Sequence, residues 1–564
     1  MMMRQFLILT LGLAVALSTL RAHAQTQLPA TPLALATFAD FNHAPNNWHL
    51  AAKITGDAAT DTQLQFAPGT GTLVNSGQAQ SASDLSTQWQ HGDLDLDFDY
   101  LLAPDARPEV LLQGRYAVPL AREFSRAPGL WQHIHLEFRT TPAPHLNQVA
   151  LNDFVTDRNI TLTANGSGPQ HPGPLVFTGN HGSYAIRNLT YKRYSGERTS
   201  IDNLKFSVFS GRFTAPADYA SLAPKRTGTS QYFDTAITDA DGRAAVVFTG
   251  TLNAPKSGDY LFTATETGVI QLSIDGQTVM TPSDQGGHPG QVTLTAGPHT
   301  FRLDCIRTIA EYLGLFRLSA EGPEVEKHVL NASPNQKPLA VTRTYPVEPH
   351  DRILAQRGFV QMPGTVRLYA ISVGNPAGVH YAYDLESAAI LKAWRGTFID
   401  TSTMWINRGG RQQARATGPA LILDPRPGIT VLNNPADPWP EHAGQIAESR
   451  GYTLEKDGQP VFHYRLAGVN LDDRISPSQD RHNLTRHMHF EGELWDGALY
   501  ILLAEASQIT PRPGGYLIGD HLYYLNWPAD APLKPQTREN GTNTQLIVRL
   551  PEKLPLDLQY TLVW

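Results

Sequence analysis

The sequence predicts an all-β, multidomain protein. Polar and apolar residues alternate with a period of two along most of the chain, and long helical periodicity is scarce. The 46 glycines and 41 prolines separate runs of about five to eight residues, which is the strand spacing of a β-sandwich. Because 564 residues are too many for one hydrophobic core, the length predicts about three domains.

The N-terminal residues predict an exported protein. Arg4 precedes an uncharged, mostly apolar run over residues 6–20, and Ala22-His23-Ala24 fits a small-x-small cleavage site. Residues 1–24 are therefore expected to be a signal peptide, and the location periplasmic or secreted. A retained N-terminal anchor is the alternative. No later segment reaches the roughly 18 uncharged apolar residues of a membrane span.

Composition excludes some classes of function. The net charge is -7 and no basic block is present, so we expect no nucleic-acid partner. Cys305 is the single cysteine, which excludes an intramolecular disulfide and a multi-thiolate zinc site. Cys305 lies in an apolar strand, which predicts a buried, inert thiol.

The first predicted domain spans residues 28–194. Its short strands follow one another in a characteristic order, at residues 93–100, 110–116, 131–134, 149–152 and 179–189. This order resembles the 3-keto-disaccharide hydrolase family, and the resemblance implies a laminin-G-like, concanavalin-type β-sandwich directed at carbohydrate.

This sequence differs from the family at polar positions of the family's central motif. Aligning on Gln113-Gly114-Arg115-Tyr116 places Ala117 where the family has glutamate and Pro119 where it has glutamine. Sugar hydrolysis needs groups that can donate and accept a proton, commonly carboxylates, and alanine can do neither. The resemblance therefore leaves catalysis by this domain in doubt.

Four residues of the first domain are candidate sugar contacts. Arg115 could donate forked hydrogen bonds and Tyr116 could stack on a pyranose face. His181 and Arg187 lie in or just after a loop between two strands, where side chains can face a ligand. Structural roles, such as loop capping and ion pairing within the sheet, are the alternative for each residue.

Two acidic patterns need separate interpretation. Asp93, Asp95, Asp97 and Asp99 alternate with apolar residues, so all four are predicted on one strand face. Mutual repulsion suits a solvated face, with a calcium site as the alternative. Residues 239–242 have the composition of a calcium loop but lack its later glutamate, and they favour an ordinary turn.

The second predicted domain spans residues 204–322 and precedes a linker at 323–339. It contains a Gly-x-Tyr-x-Phe strand at Gly258, an Ile-Asp-Gly turn at Ile274 and a Leu-x-x-Gly-x-His strand end from Leu294 to His299. This series resembles the protective-antigen-type carbohydrate-binding domain, which implies a second sandwich. Asp275-Gly276 is expected to form a tight hairpin turn, because glycine tolerates positive φ.

The third predicted domain, residues 340–564, is β-rich and has no assigned role. His487, His489 and Glu491 alternate and would share one strand face, a two-histidine, one-carboxylate set in composition. A divalent metal is therefore a hypothesis at these three residues, and outward-facing histidines on a polar surface are the alternative. No other cofactor is expected. Tryptophans such as Trp394 could stack on sugar or anchor the core.

Two principal hypotheses of function remain open. In the first, the chain is an exported protein that binds carbohydrate, with the third domain docking to a partner enzyme. In the second, it is an active hydrolase or lyase on 3-keto-disaccharides or glycosides. A third possibility is catalysis by the histidine and acid cluster of the C-terminal domain. The missing acids favour binding, because residue chemistry outweighs a fold-level resemblance.

Overall fold

The computed structural model confirms an all-β, multidomain chain with several separate sheets. It describes residues 27–77, 82–165, 172–234, 237–238, 243–265, 268–281, 289–307, 316–332, 344–405, 413–441, 447–494 and 497–564. The expected signal peptide and the acidic turn at 239–242 lie outside these residues. No helix in the described part is long and apolar enough to cross a membrane.

The chain divides into two compact units. One comprises the described residues of 27–29 and 195–332, and the other combines the described residues of 30–194 with those of 344–564. The first and third predicted domains therefore pack into one unit although the second lies between them in the sequence.

Residues 30–194 form a two-sheet sandwich. An eight-stranded sheet has the order β10-β9-β8-β5-β12-β3-β2, with β1 on β12, and a four-stranded sheet has the order β4-β11-β6-β7. The strands are β1 Thr31–Pro32, β2 Trp48–Thr55, β3 Gln65–Asn75, β4 Leu85–His91, β5 Asp93–Leu102, β6 Glu109–Leu112, β7 Tyr116–Pro119, β8 Trp131–Arg139, β9 His145–Leu151, β10 Phe154–Thr161, β11 Gly173–Phe177 and β12 Tyr184–Tyr194.

The unit built on residues 195–339 has a six-stranded sheet, β14-β13-β15-β20-β17-β18, and a four-stranded sheet, β19-β16-β21-β22. A short 3₁₀ turn covers Pro216–Tyr219. The strands are β13 Ser200–Ser210, β14 Arg226–Thr229, β15 Ala244–Ala254, β16 Gly258–Thr265, β17 Val269–Ile274, β18 Gln277–Met280, β19 Gly290–Leu294, β20 Gly297–Ile306, β21 Arg317–Gly322 and β22 Val325–Leu330.

The structure tests three predictions for this unit. Ile274 pairs with Gln277 across Asp275 and Gly276, which both have positive φ, so the predicted tight turn is confirmed. Cys305 is buried and forms no disulfide, as expected. The predicted linker needs correction, because β22 lies within it and pairs with β21. Val325 and Leu330 are buried at the two ends of this strand, and the residues between them are partly or fully exposed.

Residues 344–564 contain two large antiparallel sheets and smaller ones. The orders are β24-β27-β28-β29-β32, β34-β35-β36-β37-β44-β41-β40-β39, β33-β38-β43-β42, β23-β30-β31 and β25-β26. One helical turn, α1, covers Ser402–Trp405. The strands are β23 Pro346–Val347, β24 Leu354–Arg357, β25 Val360–Met362, β26 Thr365–Arg367, β27 Ala370–Gly374, β28 Val379–Asp384, β29 Ala389–Arg395, β30 Thr397–Asp400, β31 Arg415–Thr417, β32 Ala420–Ile422, β33 Ile429–Leu432, β34 Glu448–Leu454, β35 Pro460–Leu466, β36 Val469–Pro477, β37 Leu484–Gly492, β38 Ala498–Ala506, β39 Ile509–Arg512, β40 Gly515–Ile518, β41 Tyr523–Asn526, β42 Gln536–Asn540, β43 Asn543–Arg549 and β44 Leu556–Val563.

The hydrophobic cores follow the alternation of these strands. β5 buries Leu94, Leu96 and Phe98 completely while its aspartates stay half-buried on the other face. A second large core joins the five- and eight-stranded sheets of residues 344–564, where Tyr383 stacks on Phe462 at 4.1 Å between ring centroids. The two eight-stranded sheets thus keep one apolar and one polar face, whereas β28 of the five-stranded sheet is buried on both faces.

Candidate functional site

The four candidate sugar contacts of the first sandwich do not form one cluster. Arg115 lies in the β6–β7 turn of the four-stranded sheet, whereas Arg187 lies on β12 of the eight-stranded sheet. His181 is exposed in the loop that connects the two sheets. The sequence order of these residues therefore does not translate into a shared groove.

Two of these residues have structural roles. Tyr116 is 3% exposed and its ring packs on Phe138 at 5.6 Å between centroids, so stacking on a sugar face is corrected to core packing. The Arg187 guanidinium lies 4.1 Å from the centroid of the Trp131 ring and also forms an ion pair with Asp520. Arg187 thus connects the sandwich with residues of the C-terminal part of the same unit.

Ala117, which stands where the family has glutamate, is half-buried on β7, the strand after Arg115.

The four alternating aspartates of β5, which we call the acid ladder, contact polar side chains of the protein instead of facing only solvent. The four aspartates share one face, as predicted, and β8 brings two histidines opposite them. His133 Nδ1 lies 3.0 Å from Asp99 Oδ1, and His135 Nδ1 lies 2.8 Å from Asp97 Oδ1. Hydrogen bonds to Asp97 and Asp99 raise the pKa of His133 to about 9. Charge neutralisation by imidazolium therefore replaces the expected repulsion.

His487 and His489 of the third predicted domain line a cleft on the outer face of the eight-stranded sheet. We call it the β37 cleft; it has a volume of about 410 Å³, within the range of small-molecule sites. Its walls come from β35, β36, β37 and β44 and from the segment that follows β41. The residues that line it are Val461, Asp472, Arg474, His487, Met488, His489, Pro528, Asp530, Ala531, Pro532, Asp557, Leu558 and Gln559.

Strand register explains the composition of the β37 cleft. His463, Asp472, His489 and Asp557 lie in one row of directly opposed residues across four strands. Neighbouring strands are about 4.8 Å apart, so the row alternates imidazole and carboxylate at that spacing. The cleft therefore presents donors and acceptors on a regular grid.

His487 and His489 differ in their partners. His489 Nδ1 lies 2.8 Å from Asp557 Oδ1 and its Nε2 lies 3.2 Å from Glu491 Oε1, and these hydrogen bonds raise its pKa. Burial, followed by the positive charge of Arg474, lowers the pKa of His487. No hydrogen bond joins the His487 ring to another described residue. The lowered pKa favours the neutral form of His487, whose side chain is exposed on β37.

The predicted sharing of a strand face by His487, His489 and Glu491 is confirmed, but the metal hypothesis is not supported. Within the described ranges, no three His, Cys, Asp or Glu side chains converge to hold a metal ion. Adjacent residues on one face of a strand point in parallel, so they do not close a coordination shell.

Sequence reasoning missed Asp557 and Gln559 in the lining of this cleft, and His463 opposite Asp472 in the neighbouring strand. They lie on β35 and β44, and strand pairing across such separations leaves no local mark in the sequence. The available signal was alternation, since Asp557 and Gln559 alternate with Leu558 as outward-facing polar residues.

Comparisons with known proteins do not assign the chain to a family. No family model matches it, and no curated protein matches it. A solved anti-sigma factor domain-containing protein is 9% identical over 55% of this chain and 91% of its own, with a TM-score of 0.20. A proposed glycosyl hydrolase from Parabacteroides distasonis is 11% identical over 29% of this chain and 99% of its own, also with a TM-score of 0.20. An anti-sigma factor domain-containing protein from Clostridium clariflavum is 14% identical over 46% of this chain and 83% of its own, at the same TM-score. Likenesses this weak carry no functional argument.

Proposed function

We propose that this is an exported protein that binds carbohydrate, and that the β37 cleft is a binding site for it. The observation that carries the proposal is the exposed His487, whose ring has no hydrogen-bond partner among the described residues and lines a cleft of about 410 Å³. A neutral imidazole donates from one nitrogen and accepts at the other, as a sugar hydroxyl also does. Export rests on the N-terminal sequence pattern.

The surroundings of His487 support a polyhydroxylated ligand. Gln559 lies directly opposite on β44 and offers an amide, and Arg474 lies directly opposite on β36, where its guanidinium also pairs with Glu455. Pro528 and Pro532 add apolar surface to the wall. Polar groups that fix orientation beside apolar patches are the usual composition of a small-molecule site.

Binding agrees better with these residues than catalysis does. Asp472 and Asp557 lie two strands apart, with side chains 52% and 83% exposed. A catalytic acid needs an environment that raises its pKa, which burial commonly provides. Such exposed carboxylates are suited to hydrogen bonding with hydroxyl groups.

The test is a glycan-array screen of the purified protein, followed by titration calorimetry with the best neutral glycan. Replacing His487 with Ala should weaken binding at least about tenfold, since two hydrogen bonds to ligand are lost. His350→Ala, an exposed histidine outside the cleft, is the matched control and should bind like the wild type. Equal affinity of both variants would exclude the β37 cleft.

Turnover is measured in the same preparation. Incubation with 3-keto-glucosides should release no reducing sugar if the protein only binds. Steady release that disappears in the His181→Ala variant would contradict the binding proposal and restore the hydrolase hypothesis.

A further inference from the structure

A second cleft, on the face of the five-stranded sheet, contains an isolated lysine. We call it the Lys392 cleft; it has a volume of about 230 Å³. Lys392 lies on β29 with Ala382 opposite on β28 and Ile422 opposite on β32. Ser372 continues the same row on β27. The small side chains of Ala382 and Ser372 on one side of the lysine leave open space above the sheet.

The first sandwich supplies one wall of this cleft, within the same compact unit. Its β9–β10 hairpin turns through Asn152 and Asp153, both with positive φ, as a two-residue turn requires. These residues and Phe154 line the cleft opposite the sheet. The cleft therefore lies where two sequence segments meet, a common place for ligand sites.

The Lys392 ammonium has no counter-ion in the described part of the chain. No hydrogen bond or ion pair joins it to another described residue, and burial alone lowers its pKa from the usual value. A half-buried charge without a partner is unfavourable, because it has lost water without gaining an anion. Arg415 adds a second positive charge to the lining and Asp153 one negative charge.

We infer that the Lys392 cleft binds the carboxylate of a small ligand, with Lys392 as its counter-ion. An ammonium group offers three hydrogen-bond donors and no acceptor, so it selects anionic or strongly accepting groups. The cleft is smaller than typical sites for drug-sized ligands, which restricts the ligand to about the size of a monosaccharide. An acidic sugar and a simple organic acid share this chemistry. The inference is independent of the β37 cleft.

The test uses ligand-observed saturation-transfer NMR on the full chain, because this method detects weak binding. Glucuronate should give a saturation-transfer signal on the wild-type protein. The affinity for glucuronate should fall at least about tenfold in Lys392→Gln and stay close to the wild-type value in Lys392→Arg. Lys205→Gln, an exposed lysine of the other unit, is the matched control and should bind like the wild type. Thermal unfolding of each variant checks that it is folded.

The ligand supplies a control that needs no variant. The methyl ester of glucuronate is neutral, so its signal on the wild-type protein should be at least about tenfold weaker. Acetate separates the two ligand sources. If acetate and glucuronate bind with equal affinity, the cleft recognises the carboxylate alone; if acetate binds more weakly, the ligand is an acidic sugar.

Two outcomes would overturn the inference: an unchanged glucuronate affinity in Lys392→Gln, or equal affinity for glucuronate and its ester. Repeating the titration in the His487→Ala protein separates the two clefts. Glucuronate binding should survive there even if binding of neutral sugar is lost.

Discussion

At the scale of the residue, the neighbouring aspartates Asp472 and Asp473 of β36 have different roles, one at the surface and one in the core. Asp472 is half exposed and accepts a hydrogen bond from the ring of His463, whereas Asp473 is fully buried. Asp473 accepts from the Arg486 guanidinium at 2.9 and 2.6 Å and from the Tyr383 hydroxyl at 2.6 Å. Burial opposes the charge of Arg486, but Asp473 keeps the pKa of that guanidinium well above its usual value.

Replacing Asp473 with Asn should therefore be strongly destabilising. The change leaves the Arg486 charge buried without a counter-ion, which typically lowers the free energy of unfolding by about 3–5 kcal/mol. Urea unfolding followed by tryptophan fluorescence measures it. Asp472→Asn is the matched control and should lower that free energy by less than about 1 kcal/mol, because its hydrogen bond with His463 is exposed. Equal effects of the two changes would contradict the buried role of Asp473.

At the scale of the element, alternation predicted which face of a strand each side chain occupies but not which strand lies beside it. The single face of the four β5 aspartates and that of His487, His489 and Glu491 were both readable from the sequence. The opposing histidines of β8 were not, because pairing between β5 and β8 is non-local. For the same reason the aspartates were expected to repel one another.

The ladder between β5 and β8 makes a pH dependence predictable. Although burial opposes both shifts, hydrogen bonds to Asp97 and Glu137 raise the pKa of His135 to about 10, and those to His133 and His135 lower the pKa of Asp97 to about 2. A raised histidine pKa contributes stability below the unfolded value of about 6.5, which is lost as pH rises through about 9 to 10. The lowered Asp97 pKa contributes above about pH 4 and is lost toward pH 2.

The measurement is the thermal midpoint at pH 6, 8 and 10 for the wild type and the His133→Gln, His135→Gln double variant. The wild type should lose more stability than the variant between pH 6 and 10, because only it releases the two imidazolium protons. His350→Gln serves as the control for an unpaired exposed histidine. Parallel curves for wild type and double variant would show that the ladder does not couple to folding.

At the scale of the whole molecule, the arrangement of domains was the feature that the sequence could not provide. Three consecutive domains were expected, yet residues 30–194 and 340–564 share one compact unit. Leu130 of the sandwich packs with Leu517 and Tyr524, and the Tyr524 hydroxyl donates to the Pro128 carbonyl at 2.9 Å. The sequence around Leu130 shows only an apolar residue and does not indicate which distant residues it contacts. The Lys392 cleft escaped prediction for the same reason.

The contact at Leu130 should make the two segments of this unit unfold together. Leu130 is fully buried, so Leu130→Ala should lower the free energy of unfolding by about 2–5 kcal/mol. Hydrogen exchange followed by mass spectrometry should show faster exchange near Leu130 and in β40 and β41. Leu222→Ala, an exposed leucine of the other unit, is the control and should change neither segment.

The single cysteine reports on the other unit in the same experiment. Cys305 is buried in the core of residues 195–339, so its labelling by a thiol reagent measures opening of that core. In Leu130→Ala the labelling rate should stay at the wild-type value while exchange near Leu130 and β41 rises, because the two units have separate cores. Accelerated labelling of Cys305 would mean that both units unfold as one cooperative body. Faster exchange near Leu130 alone, without a change in β41, would mean that the sandwich and the C-terminal sheets are stable independently of each other.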